Sequence, residues 1–312
     1  MRAGARTQRR GRGTDGVARR RFAYRRSPAA FARFLLGPAV RRARRELQWR
    51  APGLDFRVRP APAERFPHAV ARHATPLIRT LPGLDLRLQR NKVVNLRLAV
   101  SRLDGLVIEP GRRLSFWRQV GKPTYRRGFL DGMVLDHGRV AAGVGGGLCQ
   151  LTNLAYWMTL HTPLTVTERW RHSYDVFPDA DRTQPFGSGA TCAWPALDLQ
   201  IENRTQFPWR LGLCVTATHL EGGWTCAEPF LGRYEVYEGE HRFSQGGPGT
   251  YLRHNVLCRR EFDACGTLVT DVMVAENHAL LMYQPFLPAP PDPAPTGAPD
   301  EDHPGAHDGS RR

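Results

Sequence analysis

The stretch Gly143–Trp157, "GVGGGLCQLTNLAYW", decides how the middle of this chain is read. Three consecutive glycines are costly, because each loses more backbone freedom on folding than any other residue. A glycine triplet followed at once by a cysteine and a helical pattern therefore marks a place where something approaches the backbone closely. Leu151, Leu154, Ala155 and Met158 fall on one helical face, and the helix is expected to stop at Thr162-Pro163, where proline lacks the donor needed to continue. Cys149 then sits in the first helical turn. The unpaired N–H groups and the positive end of the helix dipole there favour an anion, and so lower the pKa of a thiol.

A nucleophilic cysteine needs a base within hydrogen-bond reach. His161 lies at the far end of the same helix, about 18 Å away by the helical rise, and cannot reach. His172 follows a helix–turn–strand return of the right length and is the expected base. Asp175, Asp198 or a backbone carbonyl could orient it. Gly145, Gly146 and Gly147 are read as the surface along which a substrate carbonyl approaches the sulfur. The amides near Cys149 and Gln150 are read as an oxyanion hole. A phosphate loop fits poorly, since the lysine and Ser/Thr of that motif are missing. A metal at Cys149 and His172 would need further ligands, for which His137 or Cys192 are the candidates; no metal or cofactor is expected.

Working outward, "NKVVNLRLAVSRLDG" predicts a helix capped by Asn91, with Leu96, Val100 and Leu103 inward and Gly105 as the stop. "LVIEPGRRLSFW" predicts two short extended segments around Pro110-Gly111, and "GMVLDHGRV" a hairpin before the glycine loop. "LTVTERW" reads as a strand, Arg171–Gly189 as a long polar loop, and several strands and hairpins follow as far as Val274. Residues 51–90 read as irregular with one short helix. The expected fold is α+β: early helices packed on a mostly antiparallel sheet, with the cysteine at a helix N-terminus after a Gly-rich loop.

The chain has 312 residues, 41% hydrophobic and 24% charged, ordinary for a globular protein. Its net charge of +16 is concentrated at one end: residues 1–50 hold sixteen arginines against Asp15 and Glu46. The remainder is close to neutral, which argues against specific nucleic-acid binding by the body. Residues 1–26 are expected to be a disordered basic arm. Ser27 to Arg50, with Phe31, Phe34, Leu35, Val40 and Leu47 among arginines, suits a basic amphipathic helix broken near Gly37-Pro38. The first reading of this region is a solubilising arm plus a helix packed on the domain; the alternative is contact with an anionic membrane surface through the N-terminal arm. Residues 287–312 are expected to be a disordered Pro-rich tail.

No apolar run approaches the ~20 residues needed to span a bilayer. A cytoplasmic or peripheral location at the inner membrane face is expected, with export left open. The six cysteines form no C-x-x-C pair, so zinc-ribbon spacing is absent. Trp117, Trp157, Trp170, Trp194 and Trp209 could line a sugar or peptide cleft, though core packing is the expected use of most of them.

Three blocks carry a resemblance: Asn91–Trp117, Val144–Ser173 ("VGGGLCQLTNLAYWMTLHTPLTVTERWRHS") and Gly189–Thr205 ("GATCAWPALDLQIENRT"). They resemble signature blocks of the VanW family, with weaker likeness through the late strands, and so define a VanW-like domain over residues 91–286 between the basic region 27–90 and the tail. The resemblance implies a link to glycopeptide (vancomycin) resistance and to altered cell-wall precursors. Some surface-exposed members are regarded as cysteine L,D-transpeptidases of peptidoglycan stem peptides. On that likeness Cys149 is the nucleophile, His172 the general base and acid, and Gly145, Gly146, Gly147 and Gln150 line the acyl site. The partner is a peptidoglycan stem peptide or precursor. The alternative reading is a non-catalytic accessory or binding protein of a resistance or cell-wall system.

Overall fold

The computed structural model describes residues 28–78, 85–136, 138–176 and 184–283, with backbone alone for 28–35 and 136. The basic arm, the Pro-rich tail, His137 and part of the polar loop lie outside the described residues. Helix α1 (Pro28–Trp49) runs without a break through Pro38, contrary to the expected interruption. Proline removes one hydrogen bond and crowds the preceding turn, and here the helix continues past that defect.

Strand β1 (Arg59–Pro60) and strand β2 (His68–Pro76) follow. The nine-residue β2 replaces the irregular stretch expected of residues 51–90. "HAVARHATP" has little apolar content, and its strand form comes from its place at the sheet edge. Helix α2 (Leu86–Leu103) begins five residues before the expected Asn91, because the Asp85 carboxylate accepts the Arg87 amide and caps it there. Leu96, Val100 and Leu103 are buried as their spacing required. Strands β3 (Leu106–Ile108) and β4 (Arg113–Ser115) flank the Pro110-Gly111 turn, and α3 (Phe116–Val120) follows directly.

The predicted hairpin is β5 (Asp131–Asp136) and β6 (Arg139–Val144), paired antiparallel. Then come α4 (Cys149–Leu160), β7 (Thr165–Glu168), β8 (Tyr174–Asp175) and β9 (Gln200–Glu202). Strands β10 (Trp209–Val215) and β11 (His219–Cys226) are followed by the long β12 (Arg233–Gly247), β13 (Thr250–Phe262) and β14 (Leu268–Leu281). The sheets are β1-β3-β10-β11-β2, β12-β13-β14-β8, β4-β9-β7 and the β5-β6 pair. All pairings are antiparallel except β14 with β8. The architecture is α+β with few helices and mostly antiparallel sheets.

Helices α2 and α4 lie on the five-stranded sheet, α2 over β10 and α4 over β11 and β2. A side chain at Gly222 of β11 would collide with Met158, so this glycine lets α4 settle onto the strand. The Trp224 indole donates to the Thr159 hydroxyl at 3.1 Å and fixes the helix laterally. Trp49, Phe56 and Leu77, all N-terminal to residue 91, belong to the same apolar core as Leu96, Leu151 and Trp209. Among the described residues, no helix is long and apolar enough to cross a membrane.

Candidate functional site

The first turn of α4 is built around three side chains that grip other segments. The Thr152 hydroxyl donates to the Ala190 carbonyl at 2.6 Å, and the Asn153 side chain accepts the Ala190 amide at 2.7 Å. Gly189 is required beside Asn153, because a Cβ there would approach its amide oxygen to 2.6 Å. Gln150 donates from Nε2 to Thr75 Oγ1 and to the Pro76 carbonyl, both at 2.9 Å, and so ties α4 to the end of β2. The "CQLTN" block thereby holds "GATC" against the helix start. This places Cys192 Sγ 3.9 Å from Cys149 Sγ.

Cys149 is half-buried and Cys192 buried, and both are free thiols. The two titrate in opposite directions. Cys149 is held well below the ordinary thiol range, first by the Cys192 S–H donating to it, then by a hydrogen bond and charge from His172, against the opposing effect of burial. Cys192 is pushed well above that range by burial, and further by giving its proton to the bond with Cys149. When Cys149 carries its own proton, the Cys192 carbonyl, 3.6 Å away, accepts it. The structure thus brings together Cys149, His172 and Cys192. The second cysteine had been read only as a conjectural metal ligand. Among the described residues, no group of three His, Cys, Asp or Glu is placed to hold a metal ion.

The return strand explains how His172 arrives. In "TERWRH", Glu168 faces inward to a buried ionic cluster, where Arg45 of α1 donates to both carboxylate oxygens at 2.6 and 2.7 Å. The Arg169 guanidinium donates to the Gly187 carbonyl and, at 3.0 Å, to the Gly189 carbonyl, while stacking on Tyr156. Trp170 pairs with Thr191 in an isolated bridge, and Arg171 lies over the Phe186 ring. Successive residues of the motif clamp the 186–192 segment, and His172 follows at the sulfur.

Both carboxylates considered for orienting His172 hold other groups. Asp175 accepts from Arg253 and from Tyr283, both at 3.2 Å. Asp198 accepts from Ser115 Oγ at 2.5 Å and from the Trp117 amide at 2.9 Å, with Arg45 3.8 Å away. Burial raises Asp198 to about 6, outweighing those hydrogen bonds.

Each glycine of the run is packed against another segment of the chain. A Cβ on Gly145 would meet Pro123 at 2.5 Å, one on Gly146 the Gly132 backbone at 2.2 Å, and one on Gly147 the Lys92 side chain at 2.2 Å. Gly145 and Gly147 also have φ of +77° and +90°, where L side chains are strained. What approaches closely is this chain's own hairpin and helix α2. Asn95, fully buried on α2, donates to the Gly146 carbonyl at 3.0 Å and accepts the Leu130 amide at 2.8 Å, sealing the packing. The oxyanion reading narrows as well. The Gln150 amide donates to the Gly147 carbonyl at 3.1 Å, and the Gln150 side chain is engaged with β2. Among the described residues, the Leu148 and Cys149 amides have no backbone acceptor and stay available as helix-start donors.

A cavity of about 250 Å³ opens at the opposite end of α4, lined by Arg72, Trp157, His161, Arg233 and Tyr234 among others. His161, excluded as a base by distance, lies there, with Nδ1 2.9 Å from the Trp157 carbonyl. Of the tryptophans considered for a cleft, Trp117 and Trp209 are core residues, while Trp170 is 46% exposed.

The sequence pattern of the VanW family, described as VanW like protein, matches residues 91–225. The chain is 32% identical over 201 residues to the Vancomycin B-type resistance protein VanW of Enterococcus faecalis (strain ATCC 700802 / V583), covering 64% of this chain and 73% of that one. It is 27% identical over 114 residues to the uncharacterized protein YoaR of Bacillus subtilis (strain 168), 36% of each. No solved structure matches. The matched span contains most of α2, the glycine turn, Cys149, His172 and Cys192, and the chain belongs to the VanW family.

Proposed function

We propose that this chain is a cysteine acyl transferase of L,D-transpeptidase type that acts on peptidoglycan stem peptides or their precursors in a glycopeptide-resistance setting. One observation carries the reading: Cys149 meets both His172 and the Cys192 S–H at a helix start, and these donors outweigh burial to favour its thiolate. The Cys149 thiolate attacks a stem-peptide carbonyl, and the Cys149 amide faces the developing oxyanion. Protonated His172 gives its proton to the departing amine, leaving a thioester. Neutral His172 then takes a proton from the acceptor amine as it attacks, a new amide forms, and the thiolate is restored. Cys192 is a positioning residue, steadying the thiolate through its S–H. A membrane-bound precursor suits the peripheral location expected at the inner membrane face, whereas polymerised wall requires export.

The internal packing of Gly145, Gly146 and Gly147 is what favours the alternative, a non-catalytic accessory protein. Incubation of the full chain with disaccharide-tetrapeptide, followed by intact-mass analysis, separates the two. A thioester on Cys149 and cross-linked dimers as product support the transferase. Absence of any acyl-enzyme, together with undiminished glycopeptide tolerance from a Cys149→Ala chain, overturns it.

A further inference from the structure

Helix α1 has two opposite faces with different surroundings. Arg45 and Trp49 point into the body and are 6% and 7% exposed. Arg45 donates to Glu168, Gln48 and the carbonyls of Pro195 and Ala196, and Trp49 packs in the core. Leu36, Val40 and Leu47 are 60%, 62% and 69% exposed. With exposed Ala43 they recur at i, i+4, i+7 and i+11. At about 100° per residue these four fall within about 60° of each other, roughly half a turn from Arg45 and Trp49. The helix therefore carries an apolar stripe directed away from the protein it is anchored to.

Exposed Arg44 borders that stripe, and exposed Arg41 and Arg42 lie about 100° beyond its two edges; none of the three has a carboxylate partner among the described residues. Ten further arginines, against Asp15, lie in residues 1–26 immediately before the helix. This combination selects the occupant. A second copy would bring like-charged arginines together as the stripes met. A nucleic-acid backbone would satisfy the arginines but gain nothing from the leucines and valine. An anionic lipid surface takes both, with guanidinium groups at the phosphates and aliphatic side chains at the acyl boundary.

We propose that the outward face of α1, through Leu36, Val40, Leu47 and the adjoining Arg44, docks the protein on an anionic lipid bilayer, with Arg45 as the rivet that transmits the anchorage to the body. The proposal is independent of Cys149 chemistry, and a Cys149→Ala chain binds the same surface.

The test is co-sedimentation of the full chain with vesicles of phosphatidylglycerol and phosphatidylcholine, against vesicles of phosphatidylcholine alone. Binding is expected to the first and only weakly to the second, and to fall as salt rises. The variant Leu36→Asp/Val40→Asp/Leu47→Asp is expected to lose about tenfold or more in partitioning. Its thermal midpoint should match that of wild type, because these side chains already face solvent. A Leu47→Trp chain gives an independent readout, a blue shift of emission on adding the anionic vesicles. Undiminished binding by the triple variant overturns the proposal, since charge alone would then suffice. So does tighter binding to a short DNA duplex than to the vesicles. A dimer that the triple variant abolishes, with no vesicle binding by wild type, assigns the stripe to a second copy and equally overturns it.

Discussion

The two ends of α4 pose the same electrostatic question and answer it in opposite ways. At its N-terminus, Cys149 is partly buried, yet favours the charged form because Cys192 and His172 donate to it. At its C-terminus, the helix dipole favours a cation and the Trp157 carbonyl supports one. His161 is nonetheless pushed below the ordinary imidazole range, first by burial and also by the nearby charge of Arg259. His73, close by, is lowered by burial and by His161. The dipole is present at both ends and decides neither. A charge persists where specific donors offset desolvation, and is lost where they are too few.

The strongest way to break this contrast is to remove the sulfur. Cys149→Ala is expected to abolish acyl transfer outright and to eliminate the most readily alkylated thiol, which mass mapping of iodoacetamide adducts would show. Next comes the support of the turn. Gly147→Ala introduces a Cβ against Lys92 at φ of +90°, and should destabilise the fold by on the order of 3 kcal/mol in urea titration.

Beneath the N-terminal end, Asp198 tests the burial argument. Its rise from 3.8 to about 6 means that the folded chain holds this proton more tightly than the unfolded chain. The resulting contribution, on the order of 3 kcal/mol, is full below pH about 4 and lost as pH rises through 6. Asp198→Asn should flatten stability across that window; an unchanged pH profile would show that Asp198 does not govern it.

A smaller effect isolates the donor at the sulfur. Cys192→Ala should raise the pH midpoint of Cys149 alkylation and slow the reaction at any pH below the new midpoint. Cys192→Ser retains a donor and should restore most of the rate, an outcome that a purely packing role would not produce. The smallest expected effect is the control at the other end. His161→Gln should leave Cys149 alkylation unchanged, and a changed rate would mean that the two ends communicate.

Much of the local structure was legible in the residues themselves. The inward spacing of Leu96, Val100 and Leu103, the hairpin at "GMVLDHGRV" and the helix after the glycine run are all present. Elements whose form depends on partners were not legible. β2 has weak intrinsic strand character and forms by pairing with β11. α2 starts at Asp85 because of one side-chain bond, and α1 survives Pro38. Cys192 could not be paired with Cys149 by spacing, since 43 residues separate them and the contact is made by Thr152 and Asn153 holding Ala190. Arg45, far from any signature block, gave no sign that it would meet Glu168.

The sequence alone determined that a cysteine would begin a helix after a glycine turn, that a histidine could return to it, and that the positive charge would lie at one end of the chain. Those properties follow from backbone preference, helical period and composition, which act over a few neighbouring residues. Only the tertiary structure decided that the glycines admit Gly132 and Lys92, that a second thiol stands beside the first, and that α1 turns its apolar stripe outward. Each of those depends on which distant segment fills a given space, and close packing settles that only when all the segments are in place.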